Sequence, residues 1–137
     1  MEKDRTLLGD GRYPETGPLA VMARLAFLGA IAAIVIAVFL PPWMVPDFVK
    51  SHYLQHFAAF YVAALAGLAA LPRTRLRTIA TGYFLFATVL EASHLPAGAP
   101  LGPLIDNWVA DLGGLAAAYA PIVVERFRRR LSPRAPD

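Results

Sequence analysis

The chain has 137 residues, enough for one ordinary domain and too few for two. Hydrophobic residues make up 57% and charged residues 17%, against roughly 45–50% and about 25% in typical globular chains; this excludes disorder over most of the length and argues against a small soluble domain. Cysteine is absent, which excludes disulfides, thiolate metal sites and thiol catalysis, and the net charge of +3 has to be read from where the charges stand.

Residues 1–18 mix both charge signs with glycine and proline and read as a flexible N-terminal tail. Residues 19–40 follow with a single charge, Arg24, near their start. At 1.5 Å per residue this run measures about 33 Å, enough to cross a hydrocarbon core of ~30 Å. It exceeds the about 7–15 apolar residues of a secretory leader, and the PPWMVP that follows has no small-residue cleavage pattern, so a retained membrane helix is predicted. Pro41, Pro42 and Pro46 end it, and Trp43 and Phe48 stand where interfacial aromatics belong.

A second apolar run covers 52–71 and is stopped by Pro72; the basic RTRLR follows. The third covers 78–95 and ends at Pro96. The segment PAGAPLGP breaks the chain at 96–103, and a fourth run covers 104–124 before ERFRRR and a basic C-terminal tail, 127–137. The expected fold is all-α: a four-transmembrane-helix bundle with short loops, in one domain over 19–126. A three-span alternative makes 104–124 peripheral, because Asp106, Asn107 and Asp111 weaken its first turns.

The basic residues set the orientation. Lys3, Arg5, Arg12 and Arg24, then Arg73, Arg75 and Arg77, then Arg126, Arg128, Arg129, Arg130 and Arg134 fall on one side, and only Lys50 on the other. The positive-inside rule therefore predicts an inner (plasma) membrane protein, multi-pass, with both termini cytoplasmic. Topology explains the basic charge, so no nucleic-acid partner is expected. The partners expected are the lipid bilayer, anionic lipid at the basic tail, and another membrane protein.

The ionisable groups within the helices are grouped. His52 and His56 open the second helix, Glu91 and His94 close the third, and Asp106 and Asp111 open the fourth; Gln55, Ser93 and Asn107 lie at the same level. With the predicted topology all face the extracytoplasmic side. Such groups are costly at membrane depth and usually face protein or a wet cavity, so an outward-opening polar pocket is expected. His52 and His56 are i and i+4, Glu91 and His94 i and i+3, and Asn107 and Asp111 i and i+4, each pair on one helix face. Gly114 continues the last face, and Gly113 and Gly114 would let another helix approach closely.

Plainer readings compete. His52 fits an interfacial position, His56 an interhelical hydrogen bond, and Asp106 the N-cap of the fourth helix. Glu91 needs a partner or a proton, and Asp111 lies past the reach of capping. No cofactor is predicted. A divalent metal such as zinc on His56, Glu91, His94 and Asp111 is the alternative, although a polar helix-packing network accounts for the same spacing. No Gly-rich phosphate loop or serine-centred nucleophile motif is present, so no catalytic residue is assigned.

These residues, in this order, resemble the VanZ-like family of small membrane proteins. In HYLQHF, His56 and Phe57 match the family's Asp-Lys-x-x-His-aromatic motif, with His52 and Tyr53 in place of the Asp and Lys. Glu91 matches Glu-x-x-Gln with His94 at the Gln position, and Pro96 matches the following loop, which here lacks the family's Arg. Asn107, Asp111 and Gly114 fall on Asp-x-x-x-Asn-x-x-Gly with acid and amide exchanged. The resemblance covers about 51–115. It implies four or five transmembrane helices with a polar site near the outer face, in a family whose founding member is associated with resistance to the glycopeptide teicoplanin.

Three functions are therefore expected in turn. The first is a cell-envelope protein whose pocket of His52, Gln55, His56, Glu91, His94, Asp106, Asn107 and Asp111 binds a lipid headgroup or envelope precursor. The second is a metal-dependent membrane hydrolase acting on a lipid-linked substrate. The third is a non-catalytic subunit that docks through small-residue faces (Ala63, Ala66, Gly67, Ala70; Gly113, Gly114, Ala117). A transporter acting alone is disfavoured, because the ionisable groups form no path across the membrane.

Overall fold

The structure is a computed structural model and describes residues 13–46 and 48–131. It is all-helical, with four α-helices, two single-turn 3-10 helices and no strand among the described residues.

Helix α1, Pro18–Phe39, opens with proline at its first position, where the missing N–H would find no helical partner anyway. It ends one residue before Pro41-Pro42, which start a 3-10 turn, Pro42–Met44. Helix α2, His52–Ala70, is capped by Ser51, whose Oγ accepts the Leu54 N–H at 3.3 Å. Helix α3, Leu76–Ala92, is shorter than the expected 78–95 run and stops before His94. A 3-10 turn, Leu95–Ala97, and Gly98 at φ 79° lead to helix α4, Leu101–Leu131.

Two sequence expectations about α4 are corrected. The helix starts three residues earlier than expected, because Pro103 falls in the first turn, where it costs no hydrogen bond. It also continues through Pro121 to Leu131, so residues 127–131 of the expected tail are helical. Residues 132–137 lie outside the described residues, as do residues 1–12 of the N-terminal tail.

Three helices are long and apolar enough to cross a membrane: α1, α2 and α4. The 17 residues of α3 measure about 26 Å, the shortest of the four. The three-span alternative therefore singled out the wrong helix by length and composition: α4 qualifies and α3 falls short.

Helix α2 is the centre of the bundle. It packs along both α4 and α1, while α3 lies mainly on α4. Between α2 and α4 the backbones come very close. A Cβ built on Gly114 would stand 2.2 Å from the Phe57 carbonyl oxygen and 2.9 Å from the Tyr61 nitrogen. Only glycine fits there, as the sequence pattern suggested. Of the small-residue stripe on α2, Ala63, Gly67 and Ala70 are buried and Ala66 is half-buried, so most of it is used within the chain. Tyr83 of α3 reaches over Gly67 to donate its hydroxyl to the Ala63 carbonyl, and its ring packs edge-on against Phe60.

At the other end of α2 the start of the described chain is tied down. Tyr13 donates to the Ala69 carbonyl at 2.6 Å, Arg24 donates to the Glu15 carbonyl at 3.2 Å, and the Arg73 guanidinium pairs with the Glu15 carboxylate. Large apolar side chains cover the outside of every helix, among them Leu19, Leu28, Phe39, Val62, Leu85, Val89, Val123 and Phe127. Water is a poor solvent for a surface of that kind.

Candidate functional site

One cleft of about 580 Å³ opens where the C-terminal ends of α1 and α3 meet the N-terminal ends of α2 and α4. One wall is apolar and comes from α1 and the chain after it: Ile34, Ala37, Val38, Leu40 and Val45. The rest of the lining comes from α2, α3 and α4 and combines the polar His52, Gln55, His56, Glu91, His94, Asn107 and Asp111 with the apolar Ala59, Phe60 and Leu90; Lys50 lies beside them. Seven of the eight pocket residues expected from sequence thus share one cleft.

Asp106 is the exception. It is exposed, in the second turn of α4, and does not line the cleft. The early start of α4 at Leu101 also removes it from the N-cap position. Its neighbours at 107 and 111 point inward because they lie on the face that continues to Gly114, and that face is pressed against α2.

The floor of the cleft is a triad from three helices. His56 Nδ1 and Asp111 Oδ1 are hydrogen-bonded at 2.9 Å, and His56 Nδ1 lies 3.7 Å from Glu91 Oε1. Asp111 is 1% exposed and Glu91 5%. Their second oxygens, Asp111 Oδ2 and Glu91 Oε2, are buried and have no hydrogen-bond partner among the described residues. One donor atom from each of His56, Glu91 and Asp111 can be chosen so that all lie within 4.8 Å of one another.

The other polar residues surround this triad. The His52 ring meets the His56 ring edge-on, with centroids 4.7 Å apart. Asn107 stands beside the Glu91 carboxylate. Gln55 donates to the Val49 carbonyl at 2.5 Å and so fastens the chain entering α2 to that helix. His94 does not join the triad as the expected fourth metal ligand. The helix ends at Ala92, and the backbone N–H of His94 folds back to the Glu91 carbonyl at 3.2 Å. Its ring stays on the cleft wall with Nδ1 buried and unpartnered among the described residues.

Two contributors were not identified from sequence. Lys50 stands out in the sequence only as the one basic residue on its side, and that position is the available signal. The α1 wall gave none, because one apolar run looks the same on every face.

No protein-family model, no curated protein and no solved structure matches this chain.

Proposed function

We propose that the chain is an integral inner-membrane protein of the cell envelope, VanZ-like in organisation, that holds the polar head of an amphiphile in this cleft. The observation that carries the reading is a single cleft that joins apolar side chains from α1 to a cluster of polar side chains from α2, α3 and α4. A lipid headgroup or a lipid-linked envelope precursor has the same combination, with a polar end to hydrogen-bond and an acyl end to lie along Ile34 and Ala37. Small-molecule sites commonly combine apolar walls with a few placed polar groups.

The orientation proposed takes α3, although it is the shortest helix, as a fourth crossing between α2 and α4, and so puts both termini in the cytoplasm and the cleft on the extracytoplasmic side. The 31 residues of α4 measure about 46 Å, longer than a hydrocarbon core of ~30 Å, so its Arg126–Arg130 end projects into the headgroups. Four arginines there suit anionic lipid on the cytoplasmic leaflet. Trp43 and Phe48 are 83% and 91% exposed in the opposite connection, as interfacial aromatics would be.

Because the chain has no cysteine, single cysteines report its orientation without background. Phe48→Cys is expected to react with an impermeant maleimide added to intact spheroplasts, and Arg129→Cys only after lysis. Labelling of Arg129→Cys in intact spheroplasts would reverse the orientation.

The cleft itself is tested by native mass spectrometry of protein released from nanodiscs of its own membrane. Wild type is expected to retain an amphiphile. Ala37→Trp, which fills the apolar wall, and Asn107→Ala, which thins the polar one, should each lower its occupancy at least fivefold. Val123→Ala, on the exposed face of α4, should not. Equal occupancy in all four proteins removes the cleft as the site.

A further inference from the structure

We infer that His56, Glu91 and Asp111 form a binding site for one divalent cation of zinc's class. The inference is independent of what amphiphile, if any, occupies the cleft above.

The first ground is geometric. Three helices that are distant in sequence bring one imidazole nitrogen and two carboxylate oxygens within 4.8 Å of one another. Ligand atoms on a tetrahedral ion at about 2.1 Å stand roughly 3.4 Å apart. The His56–Glu91 separation is 3.7 Å and the His56–Asp111 separation 2.9 Å, one on each side of that value. A cation entering the triad takes the place of the proton shared by His56 and Asp111, and the short pair opens by about half an ångström.

The second ground is charge. Two buried carboxylates face one histidine, so both can be ionised there only with a further positive charge beside them. Burying such a charge is expensive unless something pairs with it. Lys50 does not supply the pairing: it is exposed and makes no ion pair among the described residues.

The third ground is the pair of idle oxygens. Glu91 Oε2 and Asp111 Oδ2 are both buried without a hydrogen-bond partner among the described residues, on side chains that line the cleft. Native structures rarely leave such atoms unused. A cation can draw on this unused acceptor capacity, taking one oxygen from each carboxylate beside the His56 nitrogen, and still leaves a coordination position for water or an anionic group. The mixed nitrogen and oxygen donor set, with no sulfur, suits zinc, manganese or iron(II) more than copper(I) or calcium.

The test uses the full chain in detergent, stripped with chelator and then dialysed against Zn2+ or Co2+. Wild type is expected to retain about one equivalent of zinc through gel filtration, and the cobalt form to show a visible ligand-field band. Glu91→Gln and Asp111→Asn, which keep shape and lose charge, should each weaken zinc at least tenfold and alter that band; loss of outer-shell groups alone costs about that much. Val123→Ala, on the exposed face of α4, should leave stoichiometry and band unchanged. Failure of wild type to retain zinc, or equal zinc affinity in wild type, Glu91→Gln and Asp111→Asn, overturns the site. Because the cobalt band is read on folded wild type, misfolding of a variant cannot conceal a negative result.

Discussion

Gly114→Ala is expected to destabilise this protein by about 3 kcal/mol, the upper end of what overpacking usually costs. The added Cβ would sit 2.2 Å from the Phe57 carbonyl oxygen and 2.9 Å from the Tyr61 nitrogen. Both are backbone atoms of α2, so no change of rotamer relieves the overlap. The helices must part by about 1 Å at a contact where dispersion falls steeply with separation. Gly113→Ala makes an instructive neighbour. Its Cβ would meet only the Phe57 ring, at 3.3 Å, and that ring can turn. Gly82→Ala meets nothing within 4 Å. The expected order of unfolding midpoints in detergent is therefore Gly82→Ala close to wild type, Gly113→Ala slightly lower, and Gly114→Ala far lower. A Gly114→Ala midpoint equal to that of Gly82→Ala would mean that α2 and α4 do not pack as described. The same substitution should disturb the cleft, because Asp111 is one turn before Gly114 and His56 is next to Phe57. Parting the helices at Gly114 lengthens the 2.9 Å bond between them.

That coupling explains how much of the molecule was legible beforehand. Proline positions and apolar runs located all four helices, since a helix end leaves a chemical mark such as Pro41, Pro72 or the 96–103 segment. The marks failed at α4. Pro103 looked like a stop and is instead a first-turn residue, and Pro121 looked like nothing and lies inside the helix. Asp106 was misplaced for the same reason, because an N-cap assignment is only as good as the helix start it assumes. The site was legible through spacing. Polar groups at i and i+4 in an apolar helix must share a face, and Asn107, Asp111 and Gly114 did; His94 broke the rule because the rule holds only while the helix lasts. What spacing could not supply was the pairing between helices. That His56 would meet Asp111 more closely than Glu91 depends on the approach of α2 to α4, which a backbone contact sets.

His56→Ala is expected to be the more damaging removal within the triad, at about 3 kcal/mol. It takes away the one group that can carry positive charge and leaves Glu91 and Asp111 buried side by side, at 5% and 1% exposure. The cost is that of two buried carboxyls left without their basic partner, which must stay charged unpaired or take up a proton, and this gives the prediction its sharp form. Asp111→Asn in the His56→Ala background removes one of the stranded charges and should restore part of the stability, although it is a second mutation in the same core. The rescue expected is about 1–2 kcal/mol, the usual scale of coupling between residues in one network. Interhelical hydrogen bonds in membranes average about 0.6 kcal/mol, so a larger coupling here would mark an ionic triad and not an ordinary polar contact. Chelator in the unfolding experiments keeps bound metal from contributing. If the double variant is instead less stable than His56→Ala by the full cost of Asp111→Asn alone, the two side chains act independently, and the 2.9 Å bond between them does not hold α2 to α4.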